Sequence, residues 1–90
     1  MTQALIILKL DEAEIARRGI RKWPVWERKV SRFSYYYEKE EKCLFLEGEV
    51  VIETGSDKIT LNAGDYVIFP KDLECVWDIR QPVKKHYSFE

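Results

Sequence analysis

From Arg28 to the C-terminus no segment carries apolar residues at helical spacing. Short runs instead alternate apolar and polar side chains, and turn residues keep interrupting them. The interruptions are Glu47-Gly48, Gly55-Ser56-Asp57, Asn62-Ala63-Gly64-Asp65, Pro70-Lys71-Asp72 and Gln81-Pro82. The intervening segments read as six or seven strands of an antiparallel sandwich or barrel. Gly48 falls between Cys43–Leu46 and Val50–Glu53, where a hairpin calls for a residue tolerant of positive φ. Gly64 plays that part ahead of Tyr66–Phe69. Pro70 ends its strand because it has no N–H to give to a ladder.

The first 27 residues have a different character. Ala4-Leu5-Ile6-Ile7-Leu8 is an apolar strand candidate, and Asp11-Glu12-Ala13-Glu14 has the spacing of a capping box. The helix it opens is short. Ile15 and Ala16 are expected to face the core, Arg17 and Arg18 complement the dipole of the last turn, and Gly19 stops the helix. Trp23-Pro24-Val25-Trp26 then forms an arm expected to fold over the barrel. Residues 1–90 make one domain, with 1–27 as strand, helix and arm and 28–90 as the barrel.

Nearly half of the chain is apolar, enough for a modest core without disulfides or structural metal. Fifteen basic and sixteen acidic residues are spread without long runs of one sign. A nucleic-acid partner, which needs a basic face, is therefore not expected. The apolar run at Ala4–Leu8 is far too short to span a bilayer and lacks the flanks of a signal peptide, so no membrane partner is expected. Cys43 and Cys75 supply no disulfide framework and are read as reduced thiols in a cytoplasmic protein.

Trp23-Pro24-Val25-Trp26-Glu27, Tyr35-Tyr36-Tyr37, Glu41-Lys42-Cys43, Leu46-Glu47-Gly48, Gly64-Asp65-Tyr66-Val67, Phe69-Pro70, Cys75-Val76-Trp77 and Lys85-His86-Tyr87 together resemble the small single-domain cupins. More narrowly, they are similar to the ureidoglycine-aminohydrolase-like (Cupin-3) group. The resemblance implies an all-β jelly-roll barrel with an N-terminal arm, one short helix and a ligand site in its mouth or interior. It also implies a metal frame with its histidines missing. A typical cupin places two histidines near Tyr35 and Tyr37, a glutamate at Glu41 and a third histidine at Cys75, and here only the glutamate remains.

Strand alternation says which residues share the pocket. If Glu41 points inward, so do Cys43 and Phe45, while Lys42 and Leu44 face the other way. Tyr35 and Tyr37 share one face, as do Cys75 and Trp77. The expected ligand-binding residues are Tyr35, Tyr37, Cys43, Trp77 and His86, with Trp23 or Trp26 as further closure. Glu41 and Cys75 are the candidate catalytic pair, Glu41 as general acid or base and Cys75 as a thiol that would need His86 as its base. The same two residues are the candidate metal ligands, with Cys43 or His86 as a third and a thiophilic divalent ion such as zinc as the cofactor. The plainer alternative is that Tyr35, Tyr37 and Cys75 only fill space. Three functions remain open: a binding module for a small polar or aromatic ligand, a metal-dependent enzyme of hydrolase or oxygenase type, and an interaction protein that forms a homodimer through its strand edges.

Overall fold

A computed structural model of the chain describes residues 4–90. Strand β1 (Ile6–Lys9) leads into helix α1 (Glu12–Arg17) and a single 3-10 turn at Ile20–Lys22. Six more strands follow: β2 (Val25–Arg28), β3 (Ser31–Tyr36), β4 (Glu41–Thr54), β5 (Asp57–Asn62), β6 (Asp65–Phe69) and β7 (Glu74–Phe89). All pairings are antiparallel. The fold is the expected all-β barrel with one short helix.

Two long strands organise everything else. Residues 41–44 of β4 lie between β6 and the last part of β7, and β1 and β2 extend that half to order β1-β6-β4-β7-β2. Beyond a bend, residues 49–54 of β4 lie between β5 and the first part of β7, and β3 adds to β7 on its other side. Each long strand therefore belongs to both halves, and the halves close over one core. Tyr37, Phe45, Ile52, Leu61, Phe69, Trp77, Ile79 and Val83 fill it.

The bend corrects two expected turns. Glu47-Gly48 and Gln81-Pro82 do not separate strands; they lie inside β4 and β7 and face each other, where the register slips between Phe45 and Val50. Segments that read as separate strands are thereby fused, and five strands instead of six or seven follow Arg28. Gly48 has φ of 105°, and a Cβ there would stand 2.6 Å from the Pro82 carbonyl oxygen. Its glycine is required by a bulge and a close backbone approach. Pro82 fits beside it because the disrupted ladder does not ask for its missing N–H.

The N-terminal segment covers the outside of one half. Asp11 caps α1 by accepting from the Glu14 backbone N–H at 2.8 Å, and Gly19 stops the helix in the left-handed region. Ile15 and Ile20 pack with Leu44 and Tyr66 in a second apolar cluster, joined by Leu10, Trp23 and Leu46. Leu44 thus faces away from the barrel core, as alternation requires, yet is still buried. Ala16 is exposed, contrary to expectation, because so short a helix turns only a narrow stripe toward the sheet.

Candidate functional site

A cavity of about 300 Å³ opens at the end of the barrel where β2, β3, the start of β4 and the end of β7 converge. Alternation selects its lining. Strand β2 contributes Trp26 and Arg28, β3 contributes Phe33 and Tyr35, and β7 contributes Trp77 and, past the bend, Lys85, Tyr87 and Phe89. Glu41 and Tyr37 form its floor with Lys85. The walls are aromatic and mutually braced: Trp77 stacks on Phe33 at 6.1 Å and meets Trp26 edge-on at 5.9 Å, while Tyr35 meets Tyr37 edge-on at 4.6 Å.

The floor is a hydrogen-bonded charge pair. The Lys85 ammonium donates to Glu41 Oε2 at 2.8 Å and to Cys43 Sγ at 3.2 Å. The Tyr37 hydroxyl donates to Glu41 Oε1, also at 2.8 Å. Aromatic rings surround the ammonium, with the centroids of Trp77, Trp26 and Tyr87 at 4.8, 5.0 and 5.8 Å. Burial alone would lower the pKa of Lys85, but the Cys43 sulfur and the Glu41 carboxylate more than offset it, and the net direction is upward. Burial raises the Tyr37 phenol, with the Glu41 charge adding to it, so the hydroxyl is a neutral donor. Burial likewise keeps the Cys43 thiol protonated.

Arg28 is the other cation at the cavity. Its guanidinium lies 4.2 Å from the centre of the Phe33 ring, and among the described residues it forms no salt bridge.

Of the residues expected at the site, Tyr35, Tyr37, Glu41 and Trp77 line this cavity together. Cys43 sits fully buried against Lys85. Cys75 is outside the cavity lining; it is buried in the same core cluster as Tyr37 and Trp77 and borders a second, open depression that shares Tyr35 with the first and includes Ser34, Tyr36, Glu53 and Glu74. Burial, with Glu41 contributing, pushes its thiol up to about 11. His86 does not join the pocket. It occupies the other face of β7, where its Nδ1 lies 3.0 Å from the Trp23 carbonyl that accepts its proton, so it ties the N-terminal arm to the sheet and is no base for Cys75. Trp26 closes the cavity, whereas Trp23 packs in the outer cluster.

Among the described residues no group of three or more His, Cys, Asp or Glu side chains converges to hold a metal ion. The Lys85 ammonium instead occupies the coordinating side of Glu41 and Cys43. Arg28, Phe33, Lys85, Tyr87 and Phe89 line the cavity without having been singled out as site residues in the sequence, and Lys85 and Arg28 are the charged ones. A signal existed for Lys85, because Val83, Lys85 and Tyr87 alternate with His86, and a lysine on an inward face needs a buried acid such as Glu41. No helix among the described residues is long and apolar enough to cross a membrane.

A family model described as the EutQ-like cupin domain matches residues 15–87. A DUF861 family protein from Thermotoga maritima has a similar crystal structure, with 39% identity over 97% of this chain and 100% of that one and a TM-score of 0.93. A DUF861 family protein from Pseudomonas syringae is 26% identical, over 73% of this chain and 29% of that one, with a TM-score of 0.68. A putative ethanolamine utilization protein Q from Salmonella typhimurium shares the fold at 20% identity, over 72% of this chain and 53% of its own, with a TM-score of 0.67. No curated protein sequence matches the chain.

Proposed function

This chain belongs to the EutQ-like cupin family, and on that premise we propose that it is a binding module whose barrel mouth holds a small polar or aromatic molecule without help from a metal. One observation carries the reading: the cavity has aromatic walls, and its floor is a buried Glu41–Lys85 pair that already satisfies its own charges. Small-molecule sites are concave and mostly apolar, with a few fixed polar groups that orient the guest. Tyr35, Tyr37, Trp77 and Trp26 supply the surfaces, and the braced rings leave little to be ordered on binding. The ureidoglycine-aminohydrolase resemblance extends the candidate guests to ureides and amino-acid-like molecules.

The metal-dependent alternative, with Glu41 and Cys75 around an ion such as zinc, would require the ammonium of Lys85 to leave Glu41 first. The 2.8 Å ion pair therefore supports the metal-free reading. The free cysteines suit a reducing cytoplasm. A homodimer is part of the proposal too, because β1 exposes Ile6, Ile7 and Leu8 at one edge of the sheet.

Protein-observed NMR against a library of single-ring and small polar compounds tests the binding role. Saturable shifts confined to residues around Trp26, Trp77 and Tyr87, lost in a Trp26→Ala variant that keeps its fold, are the expected result. A library that moves no resonance of the cavity would leave the module without its guest and sink the reading.

A further inference from the structure

We infer that the guest of this cavity is a small organic anion, a planar carboxylate above all, whose charged end is held by Arg28 while its body lies against Trp77, Phe33 and Tyr35. The inference rests on the reading of the cavity as a ligand site and names the class of ligand that site takes.

Charge accounting at the lining leads there. Three formally charged side chains face the cavity, and two of them, Glu41 and Lys85, neutralise each other at 2.8 Å in the floor. Arg28 is left over, without an acidic partner among the described residues. The space therefore carries a net charge of plus one, placed at its exposed rim by Arg28, which attracts an anion through a field that salt screens. A guanidinium presents a planar fork that matches a carboxylate, and its seat on the Phe33 ring fixes its plane at little entropic cost.

The same walls argue against a cationic guest. Rings grouped as Trp26, Trp77 and Tyr87 would ordinarily cage an ammonium, but this cage is filled from within by Lys85. A second cation would meet Lys85 and Arg28 without a free carboxylate, since both Glu41 oxygens already accept hydrogen bonds. Size narrows the class further. An apolar cavity of about 150 Å³ holds benzene, so the 300 Å³ here admits one ring with a short substituent.

Benzoate, benzamide and benzylamine form a matched set of anion, neutral and cation, and each is titrated into the full chain by protein-observed NMR. Benzoate is expected to bind about tenfold more tightly than either analogue, the worth of one charge-assisted pair. That preference should vanish in Arg28→Gln, persist in Lys29→Gln, whose charge is outside the cavity lining, and shrink as sodium chloride rises. Equal affinity for benzoate and benzamide, or a preference that survives Arg28→Gln, would overturn the anion assignment while leaving a ligand cavity in place. Preference for benzylamine would reverse the assignment outright. Absence of cavity shifts with all three compounds at tens of millimolar would remove the anion assignment and the ligand site together.

Discussion

Lys85 and Glu41 come within 2.8 Å of each other in the barrel interior, where their side chains are only 4% and 5% exposed. The Lys85 ammonium is the counter-charge of a Glu41 carboxylate that is otherwise cut off from water. Two charges taken out of water hold together only while both are present, because removing one strands the other in a low dielectric. Lys85→Met should therefore destabilise the protein by about 3–5 kcal/mol, and Glu41→Gln by a similar amount. The double variant should lose clearly less than the sum. A double-mutant cycle from urea unfolding measures this, and strictly additive losses would show that the pair is not coupled.

Alkaline pH should weaken the fold in a specific window. The Cys75 thiol is held up to about 11, against an ordinary 9.0, and burial holds Cys43 up as well. A group whose folded pKa is raised binds its proton more tightly in the folded state, so its contribution is complete below the unfolded value and fades as pH rises beyond it. Stability should be flat from pH 7 to 8.5 and then fall through pH 9 to 11 by up to about 1.4 kcal/mol per pH unit for each thiol. Lys85, also raised, adds to the decline only above its ordinary 10.5. Urea midpoints taken across this range should show a shallower decline for Cys75→Ala than for the parent. Constant stability up to pH 10 would contradict the arrangement.

Much of this architecture was legible in the sequence, and the parts that were not share a cause. Alternation correctly grouped Glu41, Cys43 and Phe45 on one face of β4, and Asp11 correctly marked the start of α1, although the Glu14 carboxylate pairs with Arg17 and Arg18. Gly48 and Pro82 misled, because a glycine and a proline in a strand-rich chain look the same whether they make a turn or a bend. Only the pairing of β4 with β7, which is non-local, tells the two cases apart. The bend resets the alternation of β4, whose inward residues pass from Cys43 and Phe45 to Val50 and Ile52, whereas β7 keeps one alternation from Trp77 through Val83, so that Lys85 falls inside and His86 outside. A lone histidine draws attention for its chemistry, but here the residue beside it faces the cavity.

Metal content should follow from the Lys85–Glu41 pair. Untagged protein purified under reducing conditions and soaked in zinc, manganese, iron or nickel is expected to hold far less than one equivalent by elemental mass spectrometry. A bound divalent ion would have to share Glu41 with an ammonium, at a Coulombic cost of several kcal/mol at this separation. A near-stoichiometric metal that is lost in both Glu41→Gln and Cys75→Ala would overturn the metal-free reading and revive the enzyme.

The bend between the two barrel halves should be the position least tolerant of a single added carbon. Gly48→Ala puts a Cβ 2.6 Å from the Pro82 carbonyl oxygen and 2.8 Å from the Val83 Cα, and neither backbone atom can swing aside as a side chain would. The left-handed φ of 105° adds strain of its own. Gly55 provides the control, since it too has positive φ, at 52°, yet nothing lies within 4 Å of a Cβ built there. Gly55→Ala should cost about 1 kcal/mol, the conformational term alone, whereas Gly48→Ala should cost at least about 3 kcal/mol from conformation and clash together. Because β4 and β7 pass through both halves, the strain at Gly48 should also displace the Lys85 end of β7 relative to Glu41. Amide hydrogen exchange would register that as lost protection at Phe45 and Lys85, and equal urea midpoints for the two alanine variants would refute the role assigned to the bend.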